Sequence, residues 1–377
     1  MDLNKNLTVN SEGHLCFAGI DTISLAQEYQ TPLYLMDEDY IRKNCEIFKT
    51  SIDKYYGSKG LVCYASKAFS CKEMYRIAME EGIGIDVVSM GELYTAKSVG
   101  FPPNMICYHG NNKSYDELVF ALEYGVTRIV ADSFEELEML NEIAGKMNIK
   151  AQILLRLSPG IDAHTHSFIK TGQIDSKFGF AIELSTAMAA IKKALTLENI
   201  KVCGVHCHIG SQIFEIDPFV LAAEVMLDFI YQVKKETGFV IEQMNLGGGF
   251  GIRYTDEDSP RNYDEYMKKV SIAVQAKCGT LGISLPFIII EPGRSIVGPA
   301  GITLYTVGSI KKIEGFRTYV AVDGGMTDNI RYALYSSKYD FLIANRANQK
   351  RESVVTIAGR CCESGDLLGE NVAIQTP

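Results

Sequence analysis

Eight times between residues 61 and 294 a short apolar or β-rich run gives way to a helical pattern. That alternation restricts the fold more than any other feature of the chain. The runs are Leu61–Lys67, Gly84–Ser89, Met105–Gly110, Arg128–Asp132, Gln152–Ser158, Val202–Gly210, Met244–Gly249 and Phe287–Arg294. Helix-start signals follow several of them. Ser89 with Glu92, Ser114 with Glu117 and Ser133 with Glu136 have capping-box spacing, and Asp217-Pro218 places a cap before a proline at the first helical position. Gly125 and Gly238 stand where such helices should stop. Eight strand–helix units over about 250 residues is the count of a closed (β/α)8 barrel. An open doubly wound sheet is the structural rival, but Gly247, Gly248, Gly249 and Gly251 do not fit its G-x-G-x-x-G fingerprint.

The barrel is expected over residues 37–298. Beyond Gly298 the helical rhythm ends, and Gly301–Lys312, Phe316–Asp323 and Ser353–Gly359 read as strands joined by turns. A second, mainly β domain is therefore expected from residues 1–36, ending in the apolar run Pro32–Met36, together with 299–377. A net charge of −9 argues against nucleic acid or an anionic membrane as the main partner. No apolar run approaches the roughly 20 residues of a membrane span, and MDLNKNLTVN lacks a signal-peptide profile. Ten cysteines without an export signal point to a reducing cytoplasm.

In such a barrel chemistry sits at the C-terminal strand ends, and phosphate often binds after strands seven and eight. The unusual residues cluster there: Lys67 in YASKA, Asp86 on the second strand, His208 and Ser211 in HCHIGSQ, NLGGGFG on the seventh and EPGR on the eighth. Lys67 alone reads as a surface lysine. It follows an apolar run, however, and a desolvated lysine can form an imine. The glycines leave backbone N–H groups uncovered, which suits a phosphate. Glu291 can hold a pyridine nitrogen protonated while Arg294 takes an anion. The Cys203, His206, Cys207, His208 cluster suggests a metal, but strand alternation puts His206 and His208 on one face with Cys203 and Cys207 on the other. Four convergent ligands are not expected there, and His164 and His166 read as loop histidines with no metal implied. Of the adjacent Cys361 and Cys362 only one can face a pocket on an extended segment, beside the polar Glu363, Ser364 and Asp366.

These motifs resemble the fold-type III pyridoxal-phosphate decarboxylases, and among them the group acting on meso-2,6-diaminopimelate. The matching segments run from about Pro32 to Gly369: YASKA, GIDVVSMGEL, HGNNKS, TGQIDSKFG, HIGSQ, NLGGGFGIRY, EPGR, DGGMTDNIRYALY and CESGD. The resemblance implies a barrel plus a β domain, pyridoxal 5'-phosphate held as an imine on Lys67, and L-lysine and carbon dioxide as products, the last step of lysine biosynthesis. It implies that His208 stacks on the cofactor ring and Glu291 pairs with its nitrogen. Asp86, Ser211, Gly248, Gly249 and the backbone of Glu291, Pro292, Gly293 and Arg294 would complete the cofactor site. Cys362 would reach the active site of a partner subunit, so a homodimer with shared sites is implied. Arg294, Arg331, Tyr335 and Glu363 match positions that read the distal end of the substrate.

The chemistry of the substrate bears on that choice. Diaminopimelate ends in an ammonium and a carboxylate, for which Glu363 and the two arginines are suited, whereas ornithine and lysine end in an ammonium alone. After decarboxylation an acid must protonate the carbon, with Cys362 the candidate and Lys67 the alternative. Two departures stand out. Tyr332 replaces a usual proline after Arg331, with consequences for how that arginine is aimed. Family members also continue for several dozen residues past CESGD, through a GAY segment whose tyrosine joins the cofactor site. This chain ends at NVAIQTP, so the resemblance implies a β domain incomplete at its C-terminus or completed another way. The alternatives are a related decarboxylase for ornithine, arginine, D-ornithine or D-lysine, or a carboxylated polyamine, and an alanine-racemase-like enzyme, a group that sets an arginine against the pyridine nitrogen. From another class comes a non-catalytic binding protein resembling the antizyme inhibitors.

Overall fold

The computed structural model describes residues 6–161 and 176–377. Eight strands close into a parallel barrel: β1 (Gly60–Ala65), β2 (Gly84–Val87), β3 (Ile106–Tyr108), β4 (Ile129–Ala131), β5 (Ala151–Ser158), β6 (Ile200–Cys207), β7 (Gln243–Asn245) and β8 (Phe287–Ile290). Pairing of β8 with β1 and of β4 with β5 completes the ring. The eightfold alternation is thus a closed barrel and not an open sheet. Residues at one level of the ring are set by register: His206 lies opposite both Arg156 and Asn245, and Ala65 opposite Asp86.

The connecting helices begin where small polar residues can satisfy free backbone donors. Ser114 and Glu117 form the full reciprocal box. Ser89 and Ser133 also cap their helices, but Glu92 and Glu136 accept from Val88 N and Asp132 N, one residue earlier than the box requires. Gly125 and Gly238 end their helices in the left-handed conformation, at φ of 90° and 73°. Asp217 departs from expectation. It is the first residue of the helix Asp217–Thr237, whose N-cap is Ile216 with no side-chain bond, so Pro218 falls one position later.

The chain divides into two compact units, residues 42–252 with 260–298, and residues 1–41 with 253–259 and 299–377. The first holds the barrel. Its interior carries an apolar layer of Cys63, Cys107, Val130, Leu154, Cys203 and Ile289. The second unit is mainly β. Leu33–Met36 pairs antiparallel with Gly301–Leu304, and Val307–Ile313, Arg317–Val322, Ser353–Ala358 and Leu367–Ile374 form a four-stranded sheet over Val320, Val322, Val355, Ile357, Leu368 and Ile374. The single run expected over Gly301–Lys312 is therefore two strands in two sheets, turned at Thr306, whose N–H donates to Asp323. Among the described residues no helix is long and apolar enough to cross a membrane, and all ten cysteines are unpaired.

Candidate active site

Side chains two residues apart on a strand share a face. One step up from the apolar layer, Cys107 is followed by His109, Val130 by Asp132, Leu154 by Arg156 and Ile289 by Glu291. All four are buried, as are Asp86, His206 and Asn245. A polar ring thus lies directly above an apolar plug, and its centre is Glu291. Oε1 of Glu291 accepts from Nε2 of His109 at 2.7 Å and Nδ2 of Asn245 at 2.6 Å, and Oε2 lies 3.3 Å from Nε2 of His206.

Burial alone would push the Glu291 carboxyl up, but His109 and His206 overcome it and hold the group well below the usual carboxylate range. Burial drives His206 down to about 3, so it is neutral and donates Nε2–H to the carboxylate, leaving Nδ1 as a buried bare acceptor. His208 is also held well below the ordinary histidine value, by burial first and then by the Lys67 and Arg156 charges. Its Nδ1 accepts from Gly248 N at 3.3 Å, which fixes the remaining proton on Nε2. Asp86 moves the other way. Burial and the neighbouring Glu291 raise it against the opposing pull of His109, Lys67 and Arg156, and its Oδ1 is buried without a hydrogen-bond partner.

Around this ring stands a backbone cradle. Gly247 and Gly249 adopt φ of 67° and 109°, and a Cβ on Gly248 would meet the Glu291 carbonyl oxygen at 2.0 Å. The EPGR turn is tied to β1 because Ala65 N donates to Pro292 O at 3.1 Å, and Gly293 packs on Ala65. Nη2 of Arg294 donates to Oγ of Ser211 at 3.0 Å. An anionic group, a protonated ring nitrogen and an aldehyde each meet a suitable partner here: the glycine turn with Ser211 and Arg294, the ionised Glu291, and Lys67. The donor set fits pyridoxal phosphate.

Lys67 itself corrects one expectation. The strand before it is buried, but Lys67 lies on the 3-10 turn Ser66–Ala68 and is exposed, so the strand does not desolvate it. The alternation argument for the cysteines also fails at one place. A register irregularity between Val202 and Gly204 slips the strand, and Cys203 packs with Cys63 and Cys107 on the inward layer. Two groups converge among the described residues: His109, His206 and Glu291 in the barrel, and Glu12, His14 and Asp21 near the N-terminus. His109, Asn245 and Arg156 had no assigned role in the sequence reading; the signal was their place two residues beyond an inward apolar residue, or at the end of β7. His164, His166 and residues 171–175 of TGQIDSKFG lie outside the described residues.

In the second unit Cys361, Cys362 and Glu363 are all exposed. Asp366 organises their loop by accepting from Cys361 N at 2.7 Å and Met326 N at 2.6 Å. Arg331 begins a short helix that also contains Tyr335. Its Nη1 donates to the Tyr339 hydroxyl at 2.9 Å, and its guanidinium carbon lies 4.5 Å from the Tyr254 ring centroid. The hydroxyl of Tyr332 donates to Glu370 Oε2 at 2.8 Å.

Residues 38–298 match the family described as pyridoxal-dependent decarboxylase, pyridoxal binding domain, and the chain belongs to that family. Within it the chain is similar to the diaminopimelate decarboxylases of Bacillus methanolicus, at 51% identity over 96% of this chain and 83% of the relative, and of Bacillus subtilis strain 168, at 50% over 98% and 84%. Among solved structures, the diaminopimelate decarboxylase of M. jannaschii in complex with L-lysine superimposes with a TM-score of 0.88 at 34% identity, covering 99% of this chain and 85% of that one.

Proposed function

We propose that this chain removes carbon dioxide from meso-2,6-diaminopimelate to leave L-lysine, using pyridoxal 5'-phosphate on Lys67, as a cytoplasmic homodimer. The observation that carries the substrate is the half-identical sequence shared with diaminopimelate decarboxylases over almost the whole chain; lysine in the M. jannaschii complex fits the product. When bound, the cofactor supplies an electron sink for the carbanion that decarboxylation leaves.

The chain's own residues do the rest. Lys67 provides the amine that would hold the cofactor's aldehyde. Glu291, ionised in its ring of donors, accepts from the ring nitrogen and keeps it protonated. His208 is neutral, so it presents an uncharged flat face to the ring. Ser211, the turn at Gly248 and Gly249, and the Pro292–Arg294 backbone hold the phosphate. Arg294, Arg331, Tyr335 and Glu363 read the distal ammonium and carboxylate. Cys362, exposed on its loop, delivers a proton to the substrate carbon in the second subunit of the dimer.

The test is carbon dioxide release from purified protein offered meso-diaminopimelate, ornithine, arginine, lysine and D-ornithine. Release should be fastest from meso-diaminopimelate. Faster release from ornithine would overturn the substrate. A protein that develops no lysine-linked visible chromophore, and no borohydride-trapped adduct on Lys67, would instead be a binding protein.

A further inference from the structure

Glu291 is held by more donors than a buried carboxylate needs to avoid being orphaned. Oε1 takes His109 at 2.7 Å and Asn245 at 2.6 Å, and Oε2 takes His206 at 3.3 Å. A carboxylate has about four acceptor directions. Three are used inside the barrel, and the fourth, on Oε2, is left for a donor arriving from the strand ends. Because the three donors come from β3, β6 and β7 or the turns just past them, the carboxylate cannot rotate without breaking at least two bonds.

We propose that His109 and Asn245 are positioning residues for the decarboxylation: they lock Glu291 in one rotamer, ionised, with one acceptor direction of Oε2 facing the cofactor's ring nitrogen. The proposal rests on the reading of Glu291 as the partner of that nitrogen. Their two bonds are shorter than that of His206, and both fall on the oxygen that the ring does not use. The other groups facing Glu291 are Asp86 on β2, Cys107 on β3, Arg156 on β5, and Cys207 and His208 on and after β6. Of these Arg156 alone is a fixed cation, and Asp86 opposes it. Without His109 and Asn245 a carboxylate in this interior would favour its protonated form. It would then offer the ring a hydroxyl in place of a negative charge. The loop that carries His109 is itself pinned, since Lys113 Nζ donates to Gly110 O at 2.6 Å and Val130 O at 2.9 Å.

The experiment compares the affinity of cofactor-free protein for pyridoxal phosphate and for its 1-deaza analogue, in which a CH replaces the ring nitrogen. Wild type should prefer the natural cofactor roughly tenfold or more, the worth of a charge-assisted hydrogen bond. In H109L and in N245L, each checked for native circular dichroism, that preference should fall toward one. The acidic limb of the kcat profile should also move to higher pH, because the carboxyl takes its proton sooner. H109Q returns an N–H donor near the place of Nε2 and should recover most of the preference. H109L and N245L that fold and keep the wild-type preference would overturn the positioning role. A wild-type preference near one would instead remove the assignment of Glu291 itself.

Discussion

A methyl group at position 248 would sit 2.0 Å from the carbonyl oxygen of Glu291, and that oxygen belongs to backbone. No rotamer change relieves such a contact, so Gly248→Ala must push the turn away from β8. The expected cost is about 1–3 kcal/mol, the usual range for forcing extra volume into a packed site. Loss of the Gly248–His208 bond and lower cofactor affinity should accompany it, read by urea denaturation and cofactor titration. Gly279→Ala makes the contrast: a Cβ there meets nothing within 4 Å on the helix Tyr263–Leu281. It should stabilise by up to about 1 kcal/mol through helix propensity. The same scale governs the proposed reading of the distal carboxylate. Arg331 is clamped between the Tyr254 ring at 4.5 Å and the Tyr339 hydroxyl at 2.9 Å. A desolvated cation–π contact is worth about 0.5–2 kcal/mol. Tyr254→Leu should therefore raise KM for meso-diaminopimelate roughly threefold to thirtyfold with kcat little changed, and Tyr254→Phe should not. An equal fall in kcat would show that the clamp does more than aim Arg331.

Among elements, the turn after β3 depends on a buried ion pair. Lys113 Nζ lies 2.8 Å from Glu136 Oε1, with side chains 2% and 6% exposed. Removing one partner strands the other charge, so Lys113→Met should cost about 3–5 kcal/mol, whereas Lys113→Met with Glu136→Leu should recover much of it. Equal losses in the single and double variants, measured by urea denaturation, would show that the pair itself is not what holds the turn. The ends of these elements were partly readable in advance: Ser114 with Glu117 forms the expected box, and every barrel strand overlaps its apolar run, with β1, β5, β6 and β7 starting one or two residues before it. Period-two counting also placed His206 and His208 together. It failed at Cys203 because β6 slips one residue against β5 between Val202 and Gly204, where a Cβ on Gly204 would meet Leu154 Cδ2 at 2.8 Å. A close approach between strands far apart in sequence leaves no local pattern beyond a lone glycine. His109 illustrates the same limit. Its residue type and strand end were visible, but its partner Glu291 is 182 residues away. The exposure of Lys67 likewise depends on a 3-10 turn that a YASKA segment does not announce.

For the molecule as a whole, the buried histidines of the polar ring make part of its stability depend on pH in a direction its net charge does not suggest. With a formal charge of −9 the chain moves toward neutrality as pH falls from 7, which eases self-repulsion. The histidines work against that gain. His206 has its proton affinity lowered to about 3 in the fold, below the ordinary 6.5. Below about pH 6.5 the unfolded chain binds a proton that the folded chain refuses, so stability drops by up to about 1.4 kcal/mol per pH unit. The lowered His208 acts in the same direction, and Glu291 joins below its ordinary range. Asp86 and Asp132 in the ring, with the buried Glu136 and the half-buried Glu92, are raised and oppose them, since the folded state takes their protons first. The two histidines contribute a loss that begins at about pH 6.5 and contribute nothing above it, while the raised carboxyls contribute a gain as pH falls through their own range. Urea denaturation of cofactor-free wild type and a His206 variant at about pH 6.5 and about pH 5 isolates the histidine part. His206→Gln, which keeps a donor for Glu291 but cannot titrate, should lose up to about 2 kcal/mol less over that interval. Parallel losses in the two proteins would mean that His206 is already protonated in the fold.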